Sequence, residues 1–68
     1  MHMHEKRLIG LQEVSAKTGL RRSAIYDRMQ RKAFPLAVKL GSSSRWVLSE
    51  VDAWIDTQIA LRDQQHAA

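Results

Sequence analysis

Residues 14–29 read Val14-Ser15-Ala16-Lys17-Thr18-Gly19-Leu20-Arg21-Arg22-Ser23-Ala24-Ile25-Tyr26-Asp27-Arg28-Met29, and this stretch decides the fold. Gly19 suits the left-handed position that closes a helix, and Leu20 supplies the apolar contact that accompanies such a cap. Upstream, Leu11, Val14 and Thr18 recur at helical spacing and predict a first helix of about two turns. Neither Gly10 nor Leu11 offers a side-chain oxygen to cap its start. Downstream, a second helix is expected over residues 22–32, stopping near Ala33 because Pro35 disfavours helical geometry at Phe34. On a helical wheel Ile25 and Met29 lie inward, Arg22, Ser23, Tyr26, Asp27 and Gln30 take the opposite arc, and Arg28 and Lys32 sit at the border. Two short amphipathic helices joined by a glycine turn form a helix-turn-helix, which presents its second helix to a DNA groove.

The flanking sequence completes a small domain. Ala37-Val38-Lys39-Leu40 and Arg45-Trp46-Val47-Leu48 alternate in polarity around Gly41-Ser42-Ser43-Ser44, predicting a hairpin with a four-residue loop. With Val38, Leu40, Trp46 and Leu48 inward, Lys39 and Arg45 face outward beside the second helix. Leu8-Ile9 suits a short strand, and Phe34 is expected to plug the core. Ser49 followed by Asp52 resembles a capping box and predicts the start of a third helix, whose Val51, Trp54, Ile55 and Leu61 close the core. The expected class is mainly α with a small β-hairpin, a winged helix-turn-helix of three helices plus a two-stranded wing. The domain is expected to span residues 7–62, after a flexible leader at 1–6 and before a tail at 63–68 that has nothing to bury and frays.

Composition narrows the function classes. With 68 residues the chain is one domain with a thin core, and its stability is on the order of 3–5 kcal/mol. There is no cysteine, so neither disulfides nor a thiolate zinc site can staple the fold, and His2, His4 and His66 are terminal and isolated. No metal or cofactor is expected. No apolar run approaches the ~20 residues of a membrane span, and the N-terminus lacks the apolar centre of a secretory signal, so a cytoplasmic protein without a membrane partner is expected. No nucleophile, base and orienting acid converge, which argues against an enzyme.

Charge placement points to a polyanion. Between Lys17 and Arg45 stand eight basic residues against Asp27 alone, whereas four acids and one base follow Ser49. A basic middle ahead of an acidic end is the footprint of a nucleic-acid-binding face. Residues near the start of a recognition helix reach base edges, so Arg22, Ser23, Tyr26 and Asp27 are the candidate base contacts. Arg22 can donate twice to guanine, and Asp27 can accept from a cytosine amino group or steer Arg22 or Arg31 instead. Tyr26 can donate its hydroxyl to a phosphate, or serves instead as half-buried packing. Lys17, Arg21, Arg28, Arg31, Lys39, Ser43 and Arg45 are the candidate phosphate contacts, with Arg28 alternatively laying its stem along the apolar seam.

Several motifs occur together in order: Arg7-Leu8-Ile9-Gly10-Leu11-Gln12-Glu13-Val14, Thr18-Gly19-Leu20, Ser23-Ala24-Ile25-Tyr26, Phe34-Pro35, Val38-Lys39-Leu40-Gly41, Arg45-Trp46 and Ser49-Glu50-Val51-Asp52-Ala53-Trp54-Ile55. The set resembles the AlpA family of prophage regulators, within the wider group of MerR-like and excisionase-like winged helices, over about nine-tenths of the chain. Arg21 stands where many relatives carry a capping Ser, which weakens the start of the second helix by about 1 kcal/mol. The resemblance implies transcriptional control of mobile-element genes, typically of an integrase, with double-stranded DNA as partner and RNA polymerase or integrase as further candidates. Alternatives are a recombination directionality factor that bends attachment-site DNA and an interaction module for an acidic protein. The third helix is too short for the long coiled coil of MerR regulators, so a monomer or a weak, DNA-assisted dimer is expected.

Overall fold

The computed structural model describes residues 6–66; most of the expected leader, with His2 and His4, lies outside them. The chain runs β1 (Leu8–Ile9), α1 (Leu11–Thr18), α2 (Arg22–Gln30), β2 (Val38–Leu40), β3 (Ser43–Val47) and α3 (Leu48–Gln65). The three helices and the hairpin are as expected. The sheet, however, has three strands, ordered β1-β3-β2 and antiparallel throughout. β1 pairs Leu8 with Val47 and Ile9 with Trp46, and the Leu48 amide donates to the Arg7 carbonyl at 2.8 Å. The wing is thereby rooted in the N-terminal strand.

The turn at Gly19 forms as its chemistry requires. Gly19 adopts φ 75°, and its amide donates to the Ser15 carbonyl at 2.8 Å. Two hydroxyls lock the corner. Ser15 Oγ donates to the Leu20 carbonyl at 2.6 Å, while Thr18 Oγ1 donates to the Val14 carbonyl and accepts from the Leu20 amide. Arg21 is the N-cap of α2 and makes no side-chain cap, as expected for a residue without an acceptor.

α2 ends earlier than expected, at Gln30 rather than Lys32. Lys32 takes φ 61°, its amide reaching the Met29 carbonyl while the Ala33 amide reaches the Arg28 carbonyl. These paired bonds are a Schellman cap with lysine in the position glycine favours. The stop is therefore set by this cap, ahead of Pro35.

The core takes one buried side chain from nearly every element: Ile9, Val14, Ile25, Phe34, Trp46 and Val51. Trp46 is the largest, and its Nε1 donates to the Pro35 carbonyl at 3.2 Å. Trp54 Nε1 donates to the Ala33 carbonyl at 2.8 Å, and its ring meets Phe34 edge-on at 4.8 Å. Both tryptophans thus hold the connection between α2 and β2.

Further expectations change in the hairpin and in α3. The hairpin loop is two residues, Gly41 and Ser42, with Leu40 opposite Ser43. Gly41 at φ 63° supplies the positive φ of such a tight turn at its first position. In this register Val38 and Leu40 are exposed instead of inward. α3 starts at Leu48 with Val47 as N-cap and no side-chain cap, so Ser49 lies inside the first turn and the capping box does not form. The helix also continues to Gln65, past the expected end at Arg62, and Leu61 is exposed because none of the described residues buries the distal half.

Two outcomes follow for stability. Truncating Trp46 costs about 3–5 kcal/mol, comparable to the ~3–5 kcal/mol of a domain this small, so Trp46→Ala is expected to abolish the cooperative thermal transition in circular dichroism. Lys32→Gly relieves a left-handed side-chain clash of about 1 kcal/mol and is expected to raise the urea midpoint; an unchanged or lower midpoint would contradict a strained cap.

Candidate nucleic-acid interface

α2 presents its expected faces. Ile25 is fully buried and Met29 half-buried, whereas Arg22, Ser23, Asp27 and Gln30 are exposed. Tyr26 is half-buried: its ring meets Trp46 edge-on at 6.1 Å, so the packing alternative describes its ring. The Arg22 guanidinium lies 5.3 Å from the centroid of the same ring, within cation–π range. A line of contacts therefore leads from the centre of the core to the surface of α2.

The wing brings two cations to that surface by an indirect route. Cross-strand pairing sets Lys39 opposite Ser44 and Arg45 opposite Val38, so the two cations spring from opposite faces of the ribbon. Ser44 reunites them. Its Oγ accepts from Lys39 Nζ at 2.9 Å, and its carbonyl accepts from Arg45 Nη1 at 3.0 Å. The Arg45 guanidinium also lies against Gly10, where a Cβ would come 3.7 Å from Nη1.

Between α2 and the wing these groups line a cleft of about 400 Å³. Its walls are Arg22 and Tyr26 on one side and Lys39, Ser42, Ser44 and Arg45 on the other, with Leu11 at its edge. No carboxylate is among them. A second, apolar groove between the two helices, lined by Leu11, Gln12, Ser15, Ala16 and Arg22, adjoins it.

The remaining candidates separate by their partners. Lys17 Nζ lies 2.9 Å from Asp52, tying α1 to α3, and Arg31 Nε lies 3.2 Å from Asp27, one helical turn away. Of the two roles open to Asp27, the structure thus shows the pairing with Arg31. Arg28 bends back toward the Ala24 carbonyl at 3.5 Å and is half-buried over its own helix. Arg21 and Ser23 are exposed at the start of α2. Ser43 is paired with Leu40 in the ladder and does not line the cleft. Ser42 and Ser44 do, and the signal for them was the glycine at the head of a serine run, which favours a two-residue turn that contains Ser42 and puts Ser44 on the same face of the strand as Trp46.

Among the described residues no group of three or more His, Cys, Asp or Glu side chains is placed to hold a metal ion, and no helix is long and apolar enough to cross a membrane.

A helix-turn-helix carrying a hairpin wing beside its second helix defines the winged helix-turn-helix class. Residues 7–59 match the family described as prophage CP4-57 regulatory protein (AlpA), and the chain belongs to that family of phage regulatory proteins. Over 65 residues, 94% of this chain and 74% of the relative, it is 37% identical to uncharacterized protein ORF88 of Enterobacteria phage P4. No solved structure matches the chain.

Tyr26 tests the packing described for this surface. Because its hydroxyl makes no hydrogen bond among the described residues, Tyr26→Phe is expected to leave stability within about 0.5 kcal/mol. Tyr26→Ala removes the edge contact with Trp46 and is expected to cost about 2 kcal/mol in urea unfolding. Equal effects of the two substitutions would contradict a ring anchored on the core.

Proposed function

We infer that this protein is a sequence-specific double-stranded DNA-binding regulator of a prophage or related mobile element, acting on integrase or excision genes. The cleft between α2 and the wing carries this inference, because Arg22, Lys39 and Arg45 gather there without a carboxylate beside an exposed helix face. An α-helix fits the major groove, and a neighbouring hairpin then meets the adjoining backbone. Ser23 sits on the exposed arc of α2 and is the candidate reader of base edges, beside the Asp27–Arg31 pair in which Asp27 steers the guanidinium, while Arg21, Lys39 and Arg45 hold phosphates. Membership of the AlpA family supports a regulatory role for a phage element.

A directionality factor of the excisionase kind, which bends attachment-site DNA, is the second candidate. Leu40 favours it, being 51% exposed beside the wing turn, where an apolar side chain can wedge into a minor groove. The distal half of α3, with Ile59 and Leu61 exposed among acids, is the surface assigned to a protein partner: polymerase for a regulator, integrase for a directionality factor. The protein acts as a monomer or as a weak dimer assembled on adjacent DNA sites.

Fluorescence anisotropy with duplexes from the host element tests the function. With about four or five phosphates contacted, log affinity is expected to fall against log salt with a slope near −4, and Lys39→Ala is expected to weaken binding to all sequences alike. A salt-independent affinity, or none for any duplex, would sink DNA binding. Bound sites upstream of a promoter favour the regulator; phased, bent sites beside a recombination junction favour the directionality factor.

A further inference from the structure

We propose that the cleft between α2 and the wing seats one backbone phosphodiester of duplex DNA, and that Arg22 clamps this phosphate rather than reading a base. The proposal rests on the DNA-binding function above and assigns one ligand group to one place in it.

The cleft is assembled from parts that have little reason to converge unless an anion joins them. Arg22, Lys39 and Arg45 line about 400 Å³ together with the hydroxyl-bearing side chains of Tyr26, Ser42 and Ser44, and no acid is among the lining residues. Like charges brought together in this way repel, and an anion between them reverses the sign of the interaction. Of the other cations in the basic stretch, Lys17 is answered by Asp52, Arg31 by Asp27, and Arg28 bends back to the Ala24 carbonyl. Among the described residues, none of the three cations in the cleft has an acid partner within ion-pair distance.

Each of the three is also aimed. Lys39 and Arg45 leave opposite faces of the ribbon, yet both bond to Ser44, one to its hydroxyl and the other to its carbonyl. Arg22 rests over the Tyr26 ring, and that ring is fixed by its edge contact with the fully buried Trp46. While it stays there, Arg22 lines the cleft with the wing residues Lys39, Ser42, Ser44 and Arg45, and neither Ser23 nor Asp27 is part of that lining. Phosphate oxygens accept well from guanidinium and ammonium groups at such a site, whereas a base edge in the major groove requires Arg22 to extend from the helix. Sequence discrimination then falls to the outward arc.

The test uses the full chain and a duplex selected by it from a randomised pool. Arg22→Ala is expected to weaken binding about tenfold for selected and unrelated duplexes alike, to reduce the salt slope by about 1, and to select the same sequence as the unsubstituted protein. Arg22→Lys is expected to restore most of the slope. Scanning a single uncharged methylphosphonate linkage along the selected duplex is expected to find one position whose loss is not additive with Arg22→Ala. A changed preference at one base pair, or a loss confined to the selected duplex, would make Arg22 a base reader and overturn the proposal while leaving DNA binding intact. Competition by inorganic phosphate beyond that of chloride at equal ionic strength would make the cleft a free-anion site and overturn it too. No duplex affinity in the unsubstituted protein would overturn DNA binding itself. Because Arg22 is exposed, its variants are expected to melt as the parent does, which separates these outcomes from misfolding.

Discussion

The indole of Trp46 is the constraint on which the remaining structure depends. It is fully buried, pairs with Ile9 across the sheet, supports Tyr26 of α2 edge-on and donates to the Pro35 carbonyl. One side chain therefore touches the sheet, α2 and the connection between them. The buried residues among those described form one cluster around it. The burial of a tryptophan also requires a partner for its N–H, since an unpaired buried donor would return much of the gain. Pro35 is well suited to supply the acceptor, because proline has a carbonyl to offer and no amide of its own.

From that anchor the geometry of the surface follows. The tie at Pro35, with the parallel tie from Trp54 to Ala33, fixes where the chain leaves α2 and enters the wing. A helix and a hairpin held at a set separation enclose a cleft, and the side chains that line it inherit their positions from the core. Charge is distributed accordingly. Cations near acids are consumed in structural pairs such as Lys17 with Asp52, a surface bridge worth about 1 kcal/mol at most, while those facing the cleft keep their charge available. The surface is thus less uniformly basic than a count of lysines and arginines suggests, and more focused.

Much of the fold was legible because it is written in local signals. The turn at Gly19, the absent cap at Arg21, the inward pair Ile25 and Met29, and the buried Phe34 and Trp46 all follow from spacing and residue chemistry over a few positions. The errors share a cause. Lys32 in a left-handed cap, the start of α3 at Leu48 and the exposure of Leu61 each depend on what the rest of the molecule packs against that segment. Cross-strand pairing sets Val38 opposite Arg45 and Leu40 opposite Ser43, on the face away from the buried Trp46, and so leaves both exposed. In the candidate site, the residue types were readable, but the partners that remove Lys17, and the role of Ser44 in gathering Lys39 with Arg45, were not.

The sequence by itself determined that this is a winged helix-turn-helix of the AlpA kind with a basic middle, because helix periodicity, the glycine turn and net charge are properties of short stretches of chain. Only the tertiary structure decided which charges are free and which are spent. Ion pairs such as Lys17 with Asp52 join residues far apart in sequence, and the cleft exists only where α2, the wing and Trp46 meet. Electrostatic character depends on distance in space, and that distance is set by packing.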